Sequence, residues 1–228
     1  MKVKSKGLLL AGGLLLIGLL IAAFLKPLIL KHVYKSLLRM VVGYLLAVTL
    51  GVTAAILLGI NTYVRMAFKP ILSFFMSIPT ITWVPILLVT TGISEKTIII
   101  AIFLGAFFAI VYNTLDGFDN IDKDILRAGK MLGYSQPELF LKVKIPASFN
   151  SMLVGLKLGV AYAWRALVGA EMIAAVSAGL GYLVFTSRSF YNVGMMVVGL
   201  LLIGLLGYLL AKSIEVFVER KTVKRWGL

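Results

Sequence analysis

The sequence predicts an all-α membrane protein with six transmembrane helices, and two observations support this expectation. Hydrophobic residues occupy 61% of the 228 positions, a composition that would leave a water-soluble domain with almost no polar surface. Long apolar runs recur along the chain, and each could cross about 30 Å of hydrocarbon as a helix, which satisfies its own backbone hydrogen bonds in lipid. We therefore expect one transmembrane domain over 1–228, with spans at about 7–25, 40–60, 70–91, 97–115, 150–176 and 190–211.

The basic residues are distributed asymmetrically about these spans. With a cytoplasmic N-terminus, 15 of the 23 Lys and Arg residues fall on the cytoplasmic side and six on the outer side. This bias is the positive-inside pattern of membrane proteins, and it predicts that both termini are cytoplasmic. The net charge of +14 is therefore explained by the basic residues that flank the spans of a protein in membrane lipid, and we expect no nucleic-acid partner.

The composition argues against several kinds of chemistry. The chain has no cysteine and a single histidine, His32, which argues against thiolate chemistry and against a histidine metal cluster. It also lacks the G-x-x-x-x-G-K-[ST] phosphate-binding loop. We expect no catalytic residue, no metal and no cofactor in this chain, so that any ATP and Mg²⁺ would be bound by another subunit.

The first two spans carry different signals. The run 7–25 lacks an A-x-A-like cleavage site before Lys26, so we interpret it as the first span rather than as a signal peptide. The basic stretch 26–39 is expected to be an interfacial helix whose lysines reach lipid headgroups. Span 40–60 is rich in small residues at steps of three and four, which predicts a central position in the bundle. Residues 61–65 follow as a short cytoplasmic turn.

The third span is interrupted by prolines. Pro79 and Pro85 lie within it, and a proline frees a backbone carbonyl and breaks the helix locally. Such breaks are tolerated where the backbone faces protein or a watery cavity. One interpretation is that this segment lines a translocation path, and the other is a simple kink against neighbouring helices. For the first interpretation the candidate path residues are Ser77, Pro79, Thr80 and Thr82.

The connection 116–146 is the longest polar interruption, and its local signals describe two short helices. Asp119 or Asn120 could cap the first helix, and Gly133 lies where a helix ends in a left-handed residue. Ser135 and Glu138 form a capping box for the second helix. Four acids crowd the start of this connection, and helix capping explains them better than cation binding. The apolar residues of the second helix and the proline expected to end it are Leu139, Phe140, Val143 and Pro146.

The fifth span contains charges inside the predicted membrane region. Lys157, Trp164 and Glu171 are seven residues apart and therefore share one stripe of a helix. Lys157 is close enough to the cytoplasmic edge to reach it, whereas Arg165 and Glu171 lie deeper and should face protein or water. Two roles remain open for Arg165, attraction of an anionic solute or a structural ion pair. Trp164, Arg165 and Glu171 complete the candidate translocation path.

The pattern of the connection resembles the cytoplasmic loop of permeases in binding-protein-dependent ABC importers. That loop reads E-A-A, three residues, G, nine residues and I-x-L-P, and here the matching segments are Arg127-Ala128-Gly129, Gly133 and Val143-Lys144-Ile145-Pro146. This chain has Arg127 where the family has glutamate and Gly129 where it has alanine. The segments A-E-M-I-A-A at 170–175 and G-L-G-Y at 179–182 resemble the nitrate/sulfonate/taurine branch of these permeases.

The resemblance implies a type I ABC importer permease with a cytoplasmic coupling helix, in the cell inner membrane. It further implies a dimer of ABC ATPase subunits, an extracytoplasmic solute-binding protein and a second permease copy as partners, and a small anion such as sulfonate, taurine or nitrate as solute. Tyr134, Leu139 and Phe140 would contact the ATPase. The residues assigned to ATPase coupling by resemblance are Arg127, Ala128, Gly129, Gly133, Tyr134, Ser135, Glu138, Leu139, Phe140, Val143 and Pro146.

An ion-coupled secondary carrier or channel is the alternative class of function. Such a carrier needs ionisable acids within its spans, and Glu171 is the only acid deep in a predicted span. A membrane-embedded enzyme would need a cluster of histidine, cysteine or acidic residues there, and the sequence has none.

Overall fold

A computed structural model describes residues 27–175 and 177–226, and all regular structure within them is helical. The first predicted span, 7–25, lies outside these residues. In chain order the elements are α1 (Pro27–Ile60), α2 (Thr62–Ser77), a 3-10 turn (Thr80–Thr82), α3 (Trp83–Thr91), α4 (Glu95–Asp119), α5 (Lys123–Met131), α6 (Gln136–Leu139), a π-helical segment (Phe140–Lys144), α7 (Ile145–Ala147), α8 (Phe149–Ala174), α9 (Leu180–Ser189) and α10 (Val193–Trp226).

Four of these helices are long and apolar enough to cross a membrane. They are α1, α4, α8 and the Val193–Val216 part of α10. The pair α2 and α3, which is bent by 84° at its break, would be a fifth span if it is counted as one. The prediction of an all-helical protein with several membrane-length helices is therefore confirmed for the described part of the chain.

The helix α4 forms the centre of this bundle, and α1 packs along it through glycines. A Cβ atom placed on Gly43 would lie 2.7 Å from a side-chain atom of Ile102, and one on Gly59 would lie 2.5 Å from the ring of Phe118. Ile102 follows Gly43 by the same number of positions as Phe118 follows Gly59, and α1 and α4 therefore run parallel. Small residues of α1 thus allow the close approach that was predicted, but more of α4 than of α1 is buried, so the central position predicted for span 40–60 is wrong.

The helix α8 packs on α4 in the opposite direction. Gly155 of α8 lies against Asn113 of α4, and Gly117 of α4 lies against Ser151 of α8. Later residues of α4 thus contact earlier residues of α8, as expected for antiparallel helices. The indole N–H of Trp164 on α8 donates to the backbone oxygen of Ile203 at 3.1 Å, which attaches α10 to this pair. In the structure the connection that joins α4 to α8 comprises residues 120–148 rather than the predicted 116–146, because α4 continues to Asp119. It lies at one end of the bundle, hereafter the connection end, and the α8–α9 turn lies at the other, hereafter the turn end.

Two predicted boundaries change in the structure. Residues 27–39 belong to the single helix α1 and bury His32, Ser36 and Arg39, so the separate interfacial helix predicted for 26–39 is wrong for these residues. Residues 62–65, predicted as a turn, form the start of α2, because the Asn61 side chain accepts the backbone N–H groups of Tyr63 and Val64 at 2.9 and 3.4 Å. A side chain with this capping capacity is a strong helix start signal.

Candidate functional sites at the helical connection and the membrane cleft

The helix α5 ends at Gly133 in a hydrogen-bonded turn. Gly133 has a φ of +79°, and its N–H donates to the Lys130 oxygen while the Tyr134 N–H donates to the Gly129 oxygen. This is the Schellman pattern, in which a residue without a side chain takes the left-handed position. The predicted turn at Gly133 is confirmed. At the other end of α5 the cap is Asp122, whose side chain accepts from Asp124 N at 2.8 Å, so the predicted caps Asp119 and Asn120 are wrong.

The predicted capping box of the second helix is present. The N–H and the hydroxyl of Ser135 donate to Glu138 Oε2 at 3.1 and 2.8 Å, and Lys142 Nζ donates to Glu138 Oε1 at 2.9 Å. Lys142 and the two donors of Ser135 lower the pKa of the Glu138 carboxyl to about 2. The Lys142 ammonium also lies 5.0 Å from the ring centroid of Tyr134. Glu138 is therefore ionised at neutral pH, and it links Ser135 at the start of the second helix to Lys142 one turn after Glu138.

The second helix does not end at Pro146, as predicted. It continues from α6 through the π-helical segment into α7, and Pro146 lies within this helical run. A single turn residue, Ser148, separates α7 from α8. The connection therefore enters α8 as nearly continuous helix.

Leu139 and Phe140 face the interior of the chain. Both are buried, and the ring of Phe140 lies 5.3 Å from that of Phe118 in a cluster with α4. A Cβ on Gly129 would lie 2.6 Å from Leu139 Cδ1, so the glycine that replaces the family's alanine lets α5 approach this helix closely. The expectation that Leu139 and Phe140 are free to contact a partner is wrong for this arrangement, because their own chain covers them.

Three other apolar side chains of the connection are exposed instead. Met131, Leu132 and Leu141 are 88%, 72% and 61% accessible, and we call them the apolar patch. Arg127, which replaces the family's glutamate, forms an ion pair with Asp124 at 2.9 Å, and both groups are exposed. Alternation of polar and apolar residues could not distinguish this patch from the buried side of the helix, because both sides carry leucine.

The acids that precede the connection form ion pairs with α2. Arg65 Nε donates to Asp119 Oδ1 at 2.7 Å, and Lys69 Nζ contacts Asp116 at 2.7 Å and Asp119 at 3.0 Å. Arg65 is buried and also donates to the Gly59 oxygen. Helix capping, the predicted explanation of the four acids, therefore applies to Asp122 and not to these two. No group of three His, Cys or acidic residues suited to a metal ion occurs among the described residues.

A cleft of about 440 Å³ opens where the third predicted span breaks. Glycines of the neighbouring helices allow the break to pack tightly, since a Cβ on Gly105 would lie 3.3 Å from Thr80 Cγ2 and one on Gly169 would lie 3.0 Å from Ile81. The cleft brings predicted path residues from the break together with Arg165 of α8. The lining residues used below are Ser77, Thr80, Trp83, Phe108, Tyr162 and Arg165.

The remaining predicted path residues occupy different positions. Pro79 lines the cleft, whereas Thr82 does not, and its hydroxyl donates to the Pro79 oxygen at 2.7 Å. Trp164 is 7% exposed and belongs to the hydrophobic core. Glu171 is fully buried at the turn end. The structure thus brings Ser77, Pro79, Thr80 and Arg165 together and keeps Thr82, Trp164 and Glu171 outside the lining.

At the turn end, Glu171 belongs to a buried ionic network that sequence reasoning missed. Arg39 Nη1 donates to Glu171 Oε1 at 2.8 Å and to the Ala178 oxygen at 2.6 Å. The same guanidinium donates through Nε and Nη2 to the two oxygens of Glu95 at 2.6 Å each. One arginine of α1 therefore joins the start of α4, the end of α8 and the α8–α9 turn.

Two further side chains of α1 extend this network. The Ser36 hydroxyl lies 2.8 Å from both Glu171 oxygens and accepts the Leu180 N–H at 2.8 Å. His32 Nδ1 lies 2.8 Å from the Gly179 oxygen and 3.0 Å from its nitrogen. The spacing of four and three residues from His32 to Ser36 to Arg39 puts all three on one helix face, and this polar stripe in a mostly apolar helix was the available signal.

Comparisons with known proteins agree with this geometry. The model of the family described as "Binding-protein-dependent transport system inner membrane component" matches residues 47–224. A protein of Methanocaldococcus jannaschii named as an ABC transporter permease is 35% identical over 68% of this chain and 60% of its own length. The nitrate import permease protein of Synechocystis is 29% identical over 84% of this chain and 69% of its own. The taurine transport system permease protein of Escherichia coli is 28% identical over 87% of this chain and 72% of its own.

A solved structure has the same fold. A chain of the MetNI methionine ABC transporter, in an inward-facing conformation, superposes with a TM-score of 0.69 at 21% identity, over 85% of this chain and 95% of its own.

Proposed function

The chain belongs to the family of binding-protein-dependent transport system inner membrane components, and from this premise we propose that it is the membrane-spanning permease subunit of an ABC importer. The observation that carries the proposal is the connection. Its family spacing places Gly133 in a Schellman turn and leaves an apolar patch exposed at the end of a bundle of membrane-length helices. An isolated bundle has no need of such a patch, whereas a partner subunit could cover it.

The proposed topology has six spans in a single domain over 1–228. The chain lies in the inner membrane of the cell, and both of its termini are cytoplasmic. The run 7–25 would be the first span and the bent pair α2 and α3 the third. Arg65, Lys69 and the basic residues of the connection then lie on the cytoplasmic side, as the positive-inside pattern requires. This orientation presents the apolar patch to cytoplasmic partners.

The proposed partners are two ABC ATPase subunits, an extracytoplasmic solute-binding protein and a second copy of this permease. Energy comes from ATP and Mg²⁺ bound by the ATPase, because the chain has no phosphate-binding loop of its own. Met131, Leu132 and Leu141 dock on the ATPase. Leu139 and Phe140 act indirectly, because Phe140 packs on Phe118 of α4 and Leu139 packs against Gly129 of α5, which together hold the connection in place.

Transport follows from coupling this surface to the spans. Movement of the ATPase shifts the connection, which joins α8 through helix with one turn residue, and α8 carries Arg165 into the cleft. The permease alternates between inward-facing and outward-facing states as the bundle rearranges around a central path. For the solute we propose a small anion such as a sulfonate, taurine or nitrate, because similar permeases are named for nitrate and taurine.

Co-purification tests the importer proposal. Tagged permease is extracted from its own host with detergent, and the ATPase activity of the isolated complex is measured. We expect a bound ATPase, lost in Leu132→Asp, because a carboxylate on the patch would be buried without a partner. Leu132→Met, which keeps an apolar side chain of similar volume, is the matched control and should retain the ATPase.

Two outcomes would contradict parts of this proposal. If Leu132→Asp keeps the ATPase at the native ratio, the apolar patch is not the docking surface. If the purified permease transports solute in liposomes with no second subunit and no ATP, it is a carrier or channel and not an importer subunit.

A further inference from the structure

We propose that the cleft at the broken helix is an anion-binding site in which Arg165 binds the charged head of a small oxyanion such as a sulfonate or nitrate. This proposal rests on the proposed function in one respect, that the cleft lies on the path of the solute. It adds that the permease recognises the charge of the solute itself rather than leaving recognition entirely to a binding protein.

The charges within the described spans of the bundle support this assignment. Glu171 is matched by Arg39, whose guanidinium contacts it at 2.8 Å. Arg165 has no such acid, since no ion pair or hydrogen bond of its side chain occurs among the described residues. An ionisable side chain in a membrane span is expensive to keep and marks a functional site by default. Arg165 is therefore available to a ligand of opposite charge.

The surroundings orient this guanidinium. The Arg165 side chain lies 5.9 Å from the ring centroid of Tyr162, one turn earlier on α8. A cation over an aromatic face is held in place while its N–H groups remain free, and a planar guanidinium offers them in a fork that matches two oxygens of one anion. Tyr162 thus leaves the donors of Arg165 free for a ligand.

The opposite wall supplies hydroxyls and aromatic rings without an acid. Ser77 and Thr80 line the cleft. The Ser77 hydroxyl donates to the Ser73 oxygen at 3.0 Å, whereas the Thr80 hydroxyl makes no hydrogen bond within the described residues and is the donor available to an anion. Phe108 of the cleft stacks on Phe75 at 5.1 Å, and apolar rings beside a charge lower the local dielectric and so strengthen the attraction of a cation for an anion. Because no lining residue is an acid, the site disfavours cations.

The size of the cleft suits a small solute. Its volume of about 440 Å³ lies in the lower half of the range typical of small-molecule sites, about 300 to 1,000 Å³. A lipid phosphate shares the chemistry of a free sulfonate at a guanidinium, so the experiment must distinguish these two sources.

Quenching of tryptophan fluorescence reports directly on anions in the cleft, because Trp83 lines it. The full-length permease carries Trp226→Phe to remove the tail indole, and Trp164 is buried. The protein is placed in phosphatidylcholine nanodiscs at fixed ionic strength. Iodide is the anionic quencher and acrylamide is the neutral quencher. The quenching constant of each is measured for the Trp226→Phe permease, called the parent, and for its variants Arg165→Gln, Arg165→Lys and Lys157→Gln.

We expect Arg165→Gln to lower the iodide quenching constant about two- to five-fold, the effect of losing one nearby unit charge in a partly screened site. Acrylamide quenching should not change. Arg165→Lys should retain most of the iodide effect. Lys157→Gln is the matched control, since Lys157 is on the same helix about 12 Å nearer the connection end and does not line the cleft, and it should behave as the parent.

Competition identifies the ligand class. Propanesulfonate should protect Trp83 from iodide in the parent and not in Arg165→Gln, whereas dimethyl sulfone, which is similar but neutral, should not protect. Unchanged iodide quenching in Arg165→Gln would overturn the proposal. So would protection by phosphatidylglycerol in the nanodisc without protection by propanesulfonate, because the site would then hold a lipid headgroup. This measurement needs no ATPase, so its failure is distinguishable from a failure of the co-purification experiment.

Discussion

Arg39→Met is the substitution whose effect the structure predicts most sharply. It would remove four hydrogen bonds, two to Glu95, one to Glu171 and one to the Ala178 oxygen. Glu95 is about half exposed and would regain water, but Glu171 has 0% of its side chain exposed and would keep only its contacts with Ser36 and the Gly181 N–H. The loss is therefore dominated by one buried carboxylate without its cation.

The magnitude follows from that single group. Breaking a buried ion pair by removing one partner costs about 3–5 kcal/mol, because the remaining charge is left uncompensated. For a chain of this length, 1 kcal/mol corresponds to about 2–4 °C in Tm, so the melting temperature should fall by about 6–20 °C. Glu171→Gln should cost less, about 1–3 kcal/mol, because an amide still accepts the hydrogen bonds of Ser36 and Gly181.

The assay is thermal unfolding of the detergent-solubilised permease, followed as the fraction that still elutes as a single species after heating. Arg127→Met is the matched control, because the Arg127–Asp124 pair is exposed on both sides, and exposed pairs contribute little. The double substitution Arg39→Met with Glu171→Met removes both charges and should recover much of the loss. A melting curve of Arg39→Met that coincides with that of Arg127→Met would refute the reasoning.

Three further predictions concern packing, the turn and the connection. Gly59→Ala should destabilise the permease by about 1–3 kcal/mol through a clash with the Phe118 ring, whereas Gly204→Ala, with nothing within 4 Å, should be neutral or stabilising in the same melting assay. Gly133→Ala should destabilise the turn by about 1–2 kcal/mol, because a φ of +79° is strained for an L-residue, although nothing lies within 4 Å of the added Cβ. Faster proteolysis between α5 and α6 would report this loss, and an unchanged cleavage rate would contradict the prediction. Asp119→Asn should weaken the contacts of Arg65 and Lys69 and increase amide exchange in residues 120–148, and exchange identical to the parent would show that these pairs do not hold the connection.

Local signals were sufficient for the helical class and for the turn chemistry of the connection. Gly133 and the Ser135–Glu138 box were identifiable because each motif depends on residues within a few positions of one another. The break near Pro79 was identifiable for the same reason. Its neighbours in space were not, because nothing local indicates that Gly105 and Gly169 allow it to pack against α4 and α8.

Long-range pairings could not be read in this way. Arg39 and Glu171 are 132 positions apart, so neither predicts the other, and Arg39 fell at the end of the stretch 26–39 that was predicted to be an interfacial helix. The orientation of the second helix of the connection failed for a different reason. Leu139 and Phe140 are apolar and so is Leu141, and hydrophobicity identifies a surface that must be covered without saying whether the same chain covers it.

The π-helical segment at Phe140–Lys144 has a mechanical consequence. It carries Leu141 of the apolar patch and leads towards α8, within a run of helix that is interrupted by a single turn residue. A π turn is held by i→i+5 hydrogen bonds, is rare, and is often found at functional sites. In the proposed importer, a push on the connection would therefore reach α8, the helix that carries Arg165, through this π turn.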